Sequence, residues 1–299
     1  MRLAPLLPLL AWQPLPSALR CQSTRLSSAP VASSTAWVDL TDEAQRLTDA
    51  QTARTVAAVC SEGVLCTQLS ADAGGEGAAF TSYAPFVVDD NGCLLTPVPS
   101  AEVQANLAAS GGAASFHMRA ARGGAASGSA VTLIGVAEEH PTDEVLDDQL
   151  MRLSKVTGDS VEELAARPWR RIVPARVHLA DGVRGVEAWL PASEYAEAEA
   201  NPLAAATTTL LAKINGQHGP ALRRFAAIYA GVQPVSEVEE AELLCVDQLG
   251  FDLHVKLGAM APPTLMRVGF RMPPTNEEEG TSLFMKLFQE AFEREHGSL

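Results

Sequence analysis

Histidine offers the widest range of chemistry in this chain, because imidazole titrates near neutral pH and can bind metals. Six histidines are present, and none stands at the short spacing of a known metal motif: His117, His140, His178, His218, His254 and His296. The five cysteines form no CxxC pair, so we expect reduced thiols and no metal site. The chain also lacks GxSxG, GxGxxG, P-loop and HExxH motifs, and we assign no catalytic residue from sequence.

Two histidines, His117 and His178, fall within predicted β-strands. Such a histidine is either a partnered or half-exposed strand residue, or a ligand, since an imidazole on a barrel wall can reach a haem iron. We retain both as haem-ligand candidates. His218 lies where a loop enters a helix, and we expect it to have a cap-like structural role.

Basic residues are missing from one long segment. No Lys or Arg occurs between Arg54 and Arg119, a span that holds four predicted strands. A barrel that binds flavin or pyridoxal phosphate uses basic side chains to hold the phosphate dianion. We therefore expect no bound FMN.

The charge balance excludes some classes of function. Across 299 residues the formal net charge is −14, which disfavours nucleic-acid binding. No run of 18 apolar residues occurs, so we expect no membrane span. Residues 1–38 hold three arginines and no acidic residue, and are rich in Leu, Ala, Ser and Pro. That composition is typical of an organelle-targeting segment, and its alternative is a disordered terminus.

The elements that would position these residues form two groups. The first combines a helix over 41–60, capped by Thr41, with two shorter helices and short strands separated by turns, which favours an antiparallel sandwich or barrel. The helices are capped by Ser100 and Thr142. The predicted strands are 63–69, 80–88, 93–98, 113–118, 130–138, 171–179 and 183–190.

The second group starts after Asn201-Pro202. Two helices (203–213 and 220–230) precede three strands (242–246, 251–257 and 265–270) and a final helix. That helix carries an apolar stripe of Phe284, Leu287, Phe288 and Phe292. We predict a targeting segment (1–38), a barrel domain (39–202) and an α+β domain of undefined function (203–299).

Several segments resemble the pyridoxamine-phosphate-oxidase-like split barrels. Ser82 and Tyr83, in the segment SYAPFV, match their second-to-third strand hairpin, and TLIGVA at 132–137 is similar to their fifth strand. A closer resemblance is to the HugZ-type haem-utilisation branch and its plastid members, which carry a glycine pair, here Gly182 and Gly185. Their second domain has motif positions that correspond to Asn215 and His218.

The resemblance implies an FMN-binding-type split barrel followed by a small helix–sheet–helix domain, and a homodimer. It also implies a role in tetrapyrrole (haem or chlorophyll) metabolism, in a plastid or, second, a mitochondrion. Plastid members of this branch bind a protein partner such as glutamyl-tRNA reductase, and others are assigned to haem binding or breakdown.

Four departures from the family pattern remove groups that could bind flavin or haem. Val103 replaces a His, Ala130 replaces an Arg, Val183-Arg184 interrupts a Gly-Phe pair, and Gln217 replaces an Asp. These departures disfavour catalysis. The missing basic residues between Arg54 and Arg119 favour a non-flavin binding protein that regulates a partner enzyme, with haem as its candidate ligand. The alternative is an oxidoreductase, either haem-degrading or FMN-dependent.

Overall fold

The computed structural model describes residues 37–39, 45–70, 77–141, 144–145, 147–230, 234–258 and 262–297. Twelve strands are present in these ranges: β1 (Trp37–Asp39), β2 (Glu62–Gln68), β3 (Ala79–Pro85), β4 (Val87–Val88), β5 (Leu94–Pro97), β6 (Ala113–Arg119), β7 (Ala130–His140), β8 (Trp169–Asp181), β9 (Val186–Pro191), β10 (Val238–Asp247), β11 (Gly250–Leu257) and β12 (Thr264–Gly269). The helices are α1 (Asp49–Val59), α2 (Ala101–Ala109), α3 (Asp147–Thr157), α4 (Val161–Ala165), α5 (Ala192–Glu197), α6 (Thr207–Gln217), α7 (Gly219–Ala230) and α8 (Glu277–Glu295).

Strands β2 to β9 form one antiparallel sheet that curls into a split barrel. Its order is β3-β2-β6-β7-β8-β5-β4, and β9 pairs with β8. Strands β3 and β4 stand at opposite ends of this order, yet only Phe86 separates them in the chain. The sheet must therefore close on itself, and the predicted strand 80–88 is divided at that point. Phe86 lies inside the barrel, with its ring 5.1 Å from that of Phe116.

Alternating side chains fill the barrel. Phe116 and Met118 of β6, and Val177 and Leu179 of β8, are almost fully buried. Because successive side chains of a strand point to opposite faces, the residues between them face outward. Helix α1 covers this core with an apolar face that includes Val56.

Strands β1, β12, β11 and β10 form a second sheet in that order, with β1 parallel to β12. Helices α6, α7 and α8 pack on one face of this sheet and build a separate hydrophobic core, which includes Phe225, Phe251, Phe284 and Phe288. The predicted boundary near residue 202 coincides with the change from one core to the other. It stays a prediction, since residues 35–299 form a single unit by contacts.

Charged side chains connect this second sheet to the segment that leads into α1. Arg267 of β12 is fully buried and binds the carboxylates of Asp247 at 2.8 Å and Asp252 at 3.1 Å. It also donates to the carbonyl of Gln45, while Arg46 binds Asp252 at 2.7 Å. The contacts of Arg267 with Gln45 and of Arg46 with Asp252 join residues that are about 200 positions apart in the chain.

Several predicted boundaries were wrong. The first helix begins at Asp49, because Thr48 accepts from the amide of Gln51 while the Gln51 side chain accepts from the amide of Thr48, a capping box. Residues 45–48 are not helical. The helix predicted from 203 begins at Thr207, after a turn in which the Asn201 side chain accepts from the amide of Leu203.

Phe292 does not belong to the buried stripe of α8. It is 47% exposed, since it lies on the last turns of the helix, where the Arg224 guanidinium covers its ring at 5.2 Å. Thr142 and residues 1–36, which include most of the predicted targeting segment, lie outside the described residues. Strand β1 includes the last two residues, 37 and 38, of the predicted targeting segment. No helix among the described residues is long and apolar enough to cross a membrane.

Candidate functional site: the outer face of the barrel

Six residues form one continuous row across the outside of the barrel. Register pairs link each residue to the next, from β3 to β9: Tyr83, Val64, His117, Thr132, His178 and Trp189. Directly opposed side chains point to the same face of a sheet. Tyr83 is 86% exposed and Trp189 is 54% exposed, so this face is open at both ends of the row. The two haem-ligand candidates therefore lie on one surface, separated by Thr132.

His117 makes one polar contact with the residues that the structure describes. Its Nδ1 lies 3.0 Å from the Thr132 hydroxyl oxygen, and the side chain is exposed. When Nδ1 carries the proton and donates it to this hydroxyl, Nε2 has a free lone pair. Metal-binding histidines use this arrangement, in which a second group orients the ring through its other nitrogen. His117 can therefore act as a ligand or as a proton acceptor.

His178 has a more crowded environment. Its ring centroid is 4.7 Å from that of Trp189, and its Nε2 lies 3.7 Å from a carboxylate oxygen of Glu187. The indole covers one side of the ring. Of the two candidates, His117 has the ring nitrogen that is better available to a ligand.

Two arginines that the sequence analysis did not select share this face. Arg119 follows His117 by two positions and Arg176 precedes His178 by two, so the period of a strand places them on the same side. The Arg176 guanidinium lies 4.5 Å from the Trp189 ring, and Arg119 donates to the carbonyl of Gly128. The absence of cations between Arg54 and Arg119 therefore does not make the whole face free of cations. The two-residue period of a strand, applied to each histidine, identifies both arginines from the sequence alone.

Apolar side chains complete the surface. Ile134 and Val136 of β7 are 40% and 42% exposed, on the same face as Thr132. Tyr83 and Trp189, at the two ends of the row, add two more exposed large side chains to this face. Exposed apolar side chains that collect on one face favour an interaction surface or a ligand site.

The other motif positions lie elsewhere. Ser82 is half-buried beside Tyr83 on β3, and Gly182 and Gly185 form the β8–β9 turn. A Cβ added at Gly182 would clash with the backbone of Gly128. Gly185 has a φ of +68°, in the left-handed region. Both positions therefore favour glycine for structural reasons.

Asn215 and His218 belong to the second sheet and its helices. The Asn215 amide donates to the carbonyl of Leu243 and accepts from its amide, both at 2.9 Å, which clamps α6 to β10. His218 is the C-cap residue of α6, with its ring 5.8 Å from that of Phe288. Neither contacts the row of His117. No group of three His, Cys, Asp or Glu side chains that could hold a metal ion is found in the described part of the chain.

Comparison with known proteins supports the fold. No family model matches the chain. It is 28% identical over 127 residues to the chloroplastic glutamyl-tRNA reductase-binding protein of Arabidopsis thaliana, a match over 42% of this chain. The match spans only 37% of the length of that relative.

Solved structures give a longer match. The heme binding protein from Mycobacterium smegmatis aligns with a TM-score of 0.58 and 24% identity, over 83% of this chain and 99% of that chain. A pyridoxamine 5'-phosphate oxidase-related, FMN binding protein from Nostoc punctiforme aligns over 49% of this chain and 98% of that chain, with 9% identity and a TM-score of 0.30. The alignment with the Mycobacterium smegmatis protein agrees with the fold that the sequence resemblance predicted, a split barrel followed by a small helix–sheet–helix domain.

Proposed function

We propose that this protein is a dimeric split-barrel binding protein of plastid tetrapyrrole metabolism that binds haem on the outer face of its barrel and regulates a partner enzyme. The observation that carries the proposal is His117, whose Nδ1 is engaged by Thr132 and whose side chain is exposed. The names of the two most informative relatives, a heme binding protein and a glutamyl-tRNA reductase-binding protein, agree with this proposal.

The residues of the face fit a haem. Neutral imidazole is a common axial ligand, which His117 would supply through Nε2. The exposed part of the Trp189 side chain would give the macrocycle an apolar contact, and the guanidinium groups of Arg119 and Arg176 match the carboxylates of the propionates. A bound haem supplies an iron centre with a strong visible absorption, and these residues hold and orient it.

The same face is the proposed dimer interface. Its exposed apolar side chains, with Tyr83 and Trp189 at the two ends of the row, would be covered by a second copy. Two-fold dimers use the same patch on both subunits, so each copy of the row would contact the other protomer. Haem would then be bound at or near the interface.

Flavin is not part of the proposal. Strands β2 to β5 and the first six residues of β6 contain no Lys or Arg. A flavin phosphate on these strands would find no guanidinium or ammonium group, and only backbone N–H groups and neutral side-chain donors could bind it. Purified protein should therefore lack the absorption band of flavin, and the fluorescence of added FMN should not be quenched at micromolar concentration. Release of one flavin per chain on denaturation would contradict this.

A haem titration tests the proposal. Hemin added to the purified protein should give a Soret band that saturates at a fixed stoichiometry, and His117→Ala should shift or abolish it. His178→Ala is the matched control, and we expect a smaller effect because this ring is covered by Trp189. Should His296→Ala abolish the band while both strand variants retain it, the ligand lies at the C-terminus and the assignment is wrong. Loss of the band on addition of ascorbate would instead favour a haem-degrading oxidoreductase.

The partner enzyme that we propose is glutamyl-tRNA reductase, held by the acidic side of α8. This helix begins with Glu277, Glu278 and Glu279 and carries Glu290 and Glu293 further along. Charged residues at the rim of an interface mainly affect the association rate and its salt dependence. The surface therefore suits a partner with a basic patch.

A charge-reversal pair tests this surface. Glu278→Lys with Glu290→Lys should slow association with glutamyl-tRNA reductase, measured by surface plasmon resonance, by about tenfold at low salt. The control pair Glu102→Lys with Glu162→Lys carries the same charge change on α2 and α4. Equal slowing by both pairs would mean that net charge, not this surface, controls binding.

Plastid location is part of the proposal, supported by the composition of residues 1–38 and by the chloroplastic relative. Residues 1–36 fused to a fluorescent protein should direct it into plastids. Accumulation in mitochondria would contradict the proposed location.

A further inference from the structure

Ser236 is an exposed serine that precedes a run of carboxylates. It lies in a single 3-10 turn, Val235–Glu237, held by the bond from the amide of Glu237 to the carbonyl of Pro234 at 3.0 Å. Its hydroxyl makes no hydrogen bond with any residue that the structure describes. Glutamates follow at the first, third and fourth positions after it, Glu237, Glu239 and Glu240.

An arginine side chain shares a surface depression with this serine. Ser236 and Arg223 of α7 line the same surface depression, together with Arg224 and Glu239. Arg224 is paired with Glu295 at 2.6 Å and Glu239 with Lys256 at 3.0 Å. Arg223 is exposed and forms no ion pair within the described part of the chain. The depression therefore has one guanidinium whose charge is not compensated by a neighbour.

We propose that Ser236 is a phosphorylation site and that its phosphate binds Arg223. A serine kinase with a basic substrate groove would recognise the three exposed carboxylates by charge complementarity, in competition with Lys256 at Glu239. In the transfer the Ser236 Oγ bonds to the γ-phosphorus of ATP, the bond from that phosphorus to the bridging oxygen breaks, and ADP leaves. The hydroxyl proton passes to the catalytic base of the kinase. A phosphate opposite an arginine forms charge-assisted hydrogen bonds that order the segment carrying it.

Two other serines with acidic neighbours do not meet these conditions. Ser160 precedes Glu162 and Glu163, but its hydroxyl accepts from the amide of Glu163 as the N-cap of α4. Ser193 is exposed and precedes Glu194, but the third position after it is Ala196. Ser236 alone among these three combines a free hydroxyl, a carboxylate at the third position and an unpaired arginine.

The modification joins two elements that surround the second core. Ser236 precedes β10, the edge strand of the second sheet, and Arg223 lies on α7, which packs against β10. A bond between them would hold the start of the edge strand against the helix. This inference does not depend on haem binding or on the proposed partner.

Phosphorylation in vitro tests the site. The full chain is incubated with ATP and an acidophilic serine kinase of the casein kinase 2 class, and the phosphopeptides are located by mass spectrometry. We expect phosphate on Ser236, about tenfold less incorporation in Ser236→Ala, and unchanged incorporation in Ser193→Ala. Phosphate at other positions with Ser236 unmodified would overturn the proposal.

Hydrogen exchange tests the acceptor. Phosphorylation should slow the exchange of amides in 235–238 by about three- to tenfold, as expected for one to three new charge-assisted bonds. Arg223→Gln should leave incorporation unchanged and remove most of this slowing. Because Arg223 is exposed, the variant should fold normally. Equal slowing in Arg223→Gln and the parent protein would show that the phosphate does not bind this arginine.

Discussion

Removing the buried guanidinium of Arg267 should strongly destabilise the protein. Arg267→Met retains most of the volume but deletes the donors to Asp247, Asp252 and the carbonyl of Gln45. Both carboxylates stay more than nine-tenths buried. Deleting one partner of a buried charge cluster typically costs about 3–5 kcal/mol, because the remaining charge loses its compensation.

The remaining contacts place the expected loss within that range. Asp247 still accepts from the amides of Leu249 at 2.7 Å and Gly250 at 3.0 Å, and Asp252 still binds Arg46. These bonds stabilise the two charges in part. We therefore expect a loss of about 3 kcal/mol at pH 7.5.

The loss should depend on pH in a defined direction. Burial raises the pKa of Asp252 above the ordinary carboxyl value, although Arg267 and Arg46 oppose the shift. A raised pKa in the folded state means that ionisation of this group lowers the free energy of unfolding as pH rises through that pKa. Arg267→Met raises the folded pKa further. The deficit of the variant should therefore be small near pH 4.5 and grow towards pH 7.5.

Urea denaturation at these two pH values, followed by circular dichroism, measures the deficit. Adding Asp252→Asn to Arg267→Met should recover part of the lost stability at pH 7.5, since it removes one uncompensated charge. A deficit below about 1 kcal/mol at pH 7.5 would fall in the range of exposed ion pairs and refute the argument from burial. So would a deficit that does not change with pH.

Three further outcomes are expected. Ile134→Glu on the outer face of the barrel should produce monomers in analytical ultracentrifugation. Met151→Glu, at an exposed position on α3, is the control and should leave the dimer intact. Dimers in both variants would place the interface elsewhere. Gly182→Ala should lower the free energy of unfolding by about 3 kcal/mol, because the added Cβ would clash with backbone atoms. Gly185→Ala should cost only about 1 kcal/mol, because the φ of +68° is the one unfavourable feature there. Equal losses of the two variants in urea titrations would contradict this. The Cys245 thiol, whose pKa burial raises to about 12, should stay unmodified by maleimide at pH 8 until the protein unfolds, as peptide mass spectrometry would reveal.

The strands were predicted well because alternation and turn residues are local signals. The break at Phe86 could not be predicted, since it results from closure of the sheet by strands that lie far apart in the chain. Strand β1 was missed for the same reason: its pairing with β12 joins residues more than 200 positions apart.

Two helix starts were missed although their signals are local. Thr48 with Gln51, and Ser160 with Glu163, both have the spacing of a capping box and both form one. For the first helix, Thr41 followed by Asp42 and Glu43 is a competing start signal in the sequence. The five residues of α4 carry little periodic pattern, so hydrophobic periodicity does not predict this short helix.

In the candidate site too, some features follow from the local sequence of one strand and others depend on pairing between distant strands. Phe116 and Met118 point inward, so His117 must point outward, and Val177 with Leu179 impose the same on His178. Alternation within each strand therefore assigns a side chain to a face, and the sequence alone carries this assignment.

Which outward residues meet is decided by register, and register depends on pairing between strands that the local pattern does not specify. A shift of one position between β7 and β8 would place His178 beside a different neighbour and turn one set of side chains to the other face. The contact of His178 with Trp189, and the single residue between His178 and His117, thus became visible only in the structure. Fold likeness has the same limit, because it transfers the inward residues that build the barrel, while the outward residues that would bind haem or a partner differ from one barrel to the next.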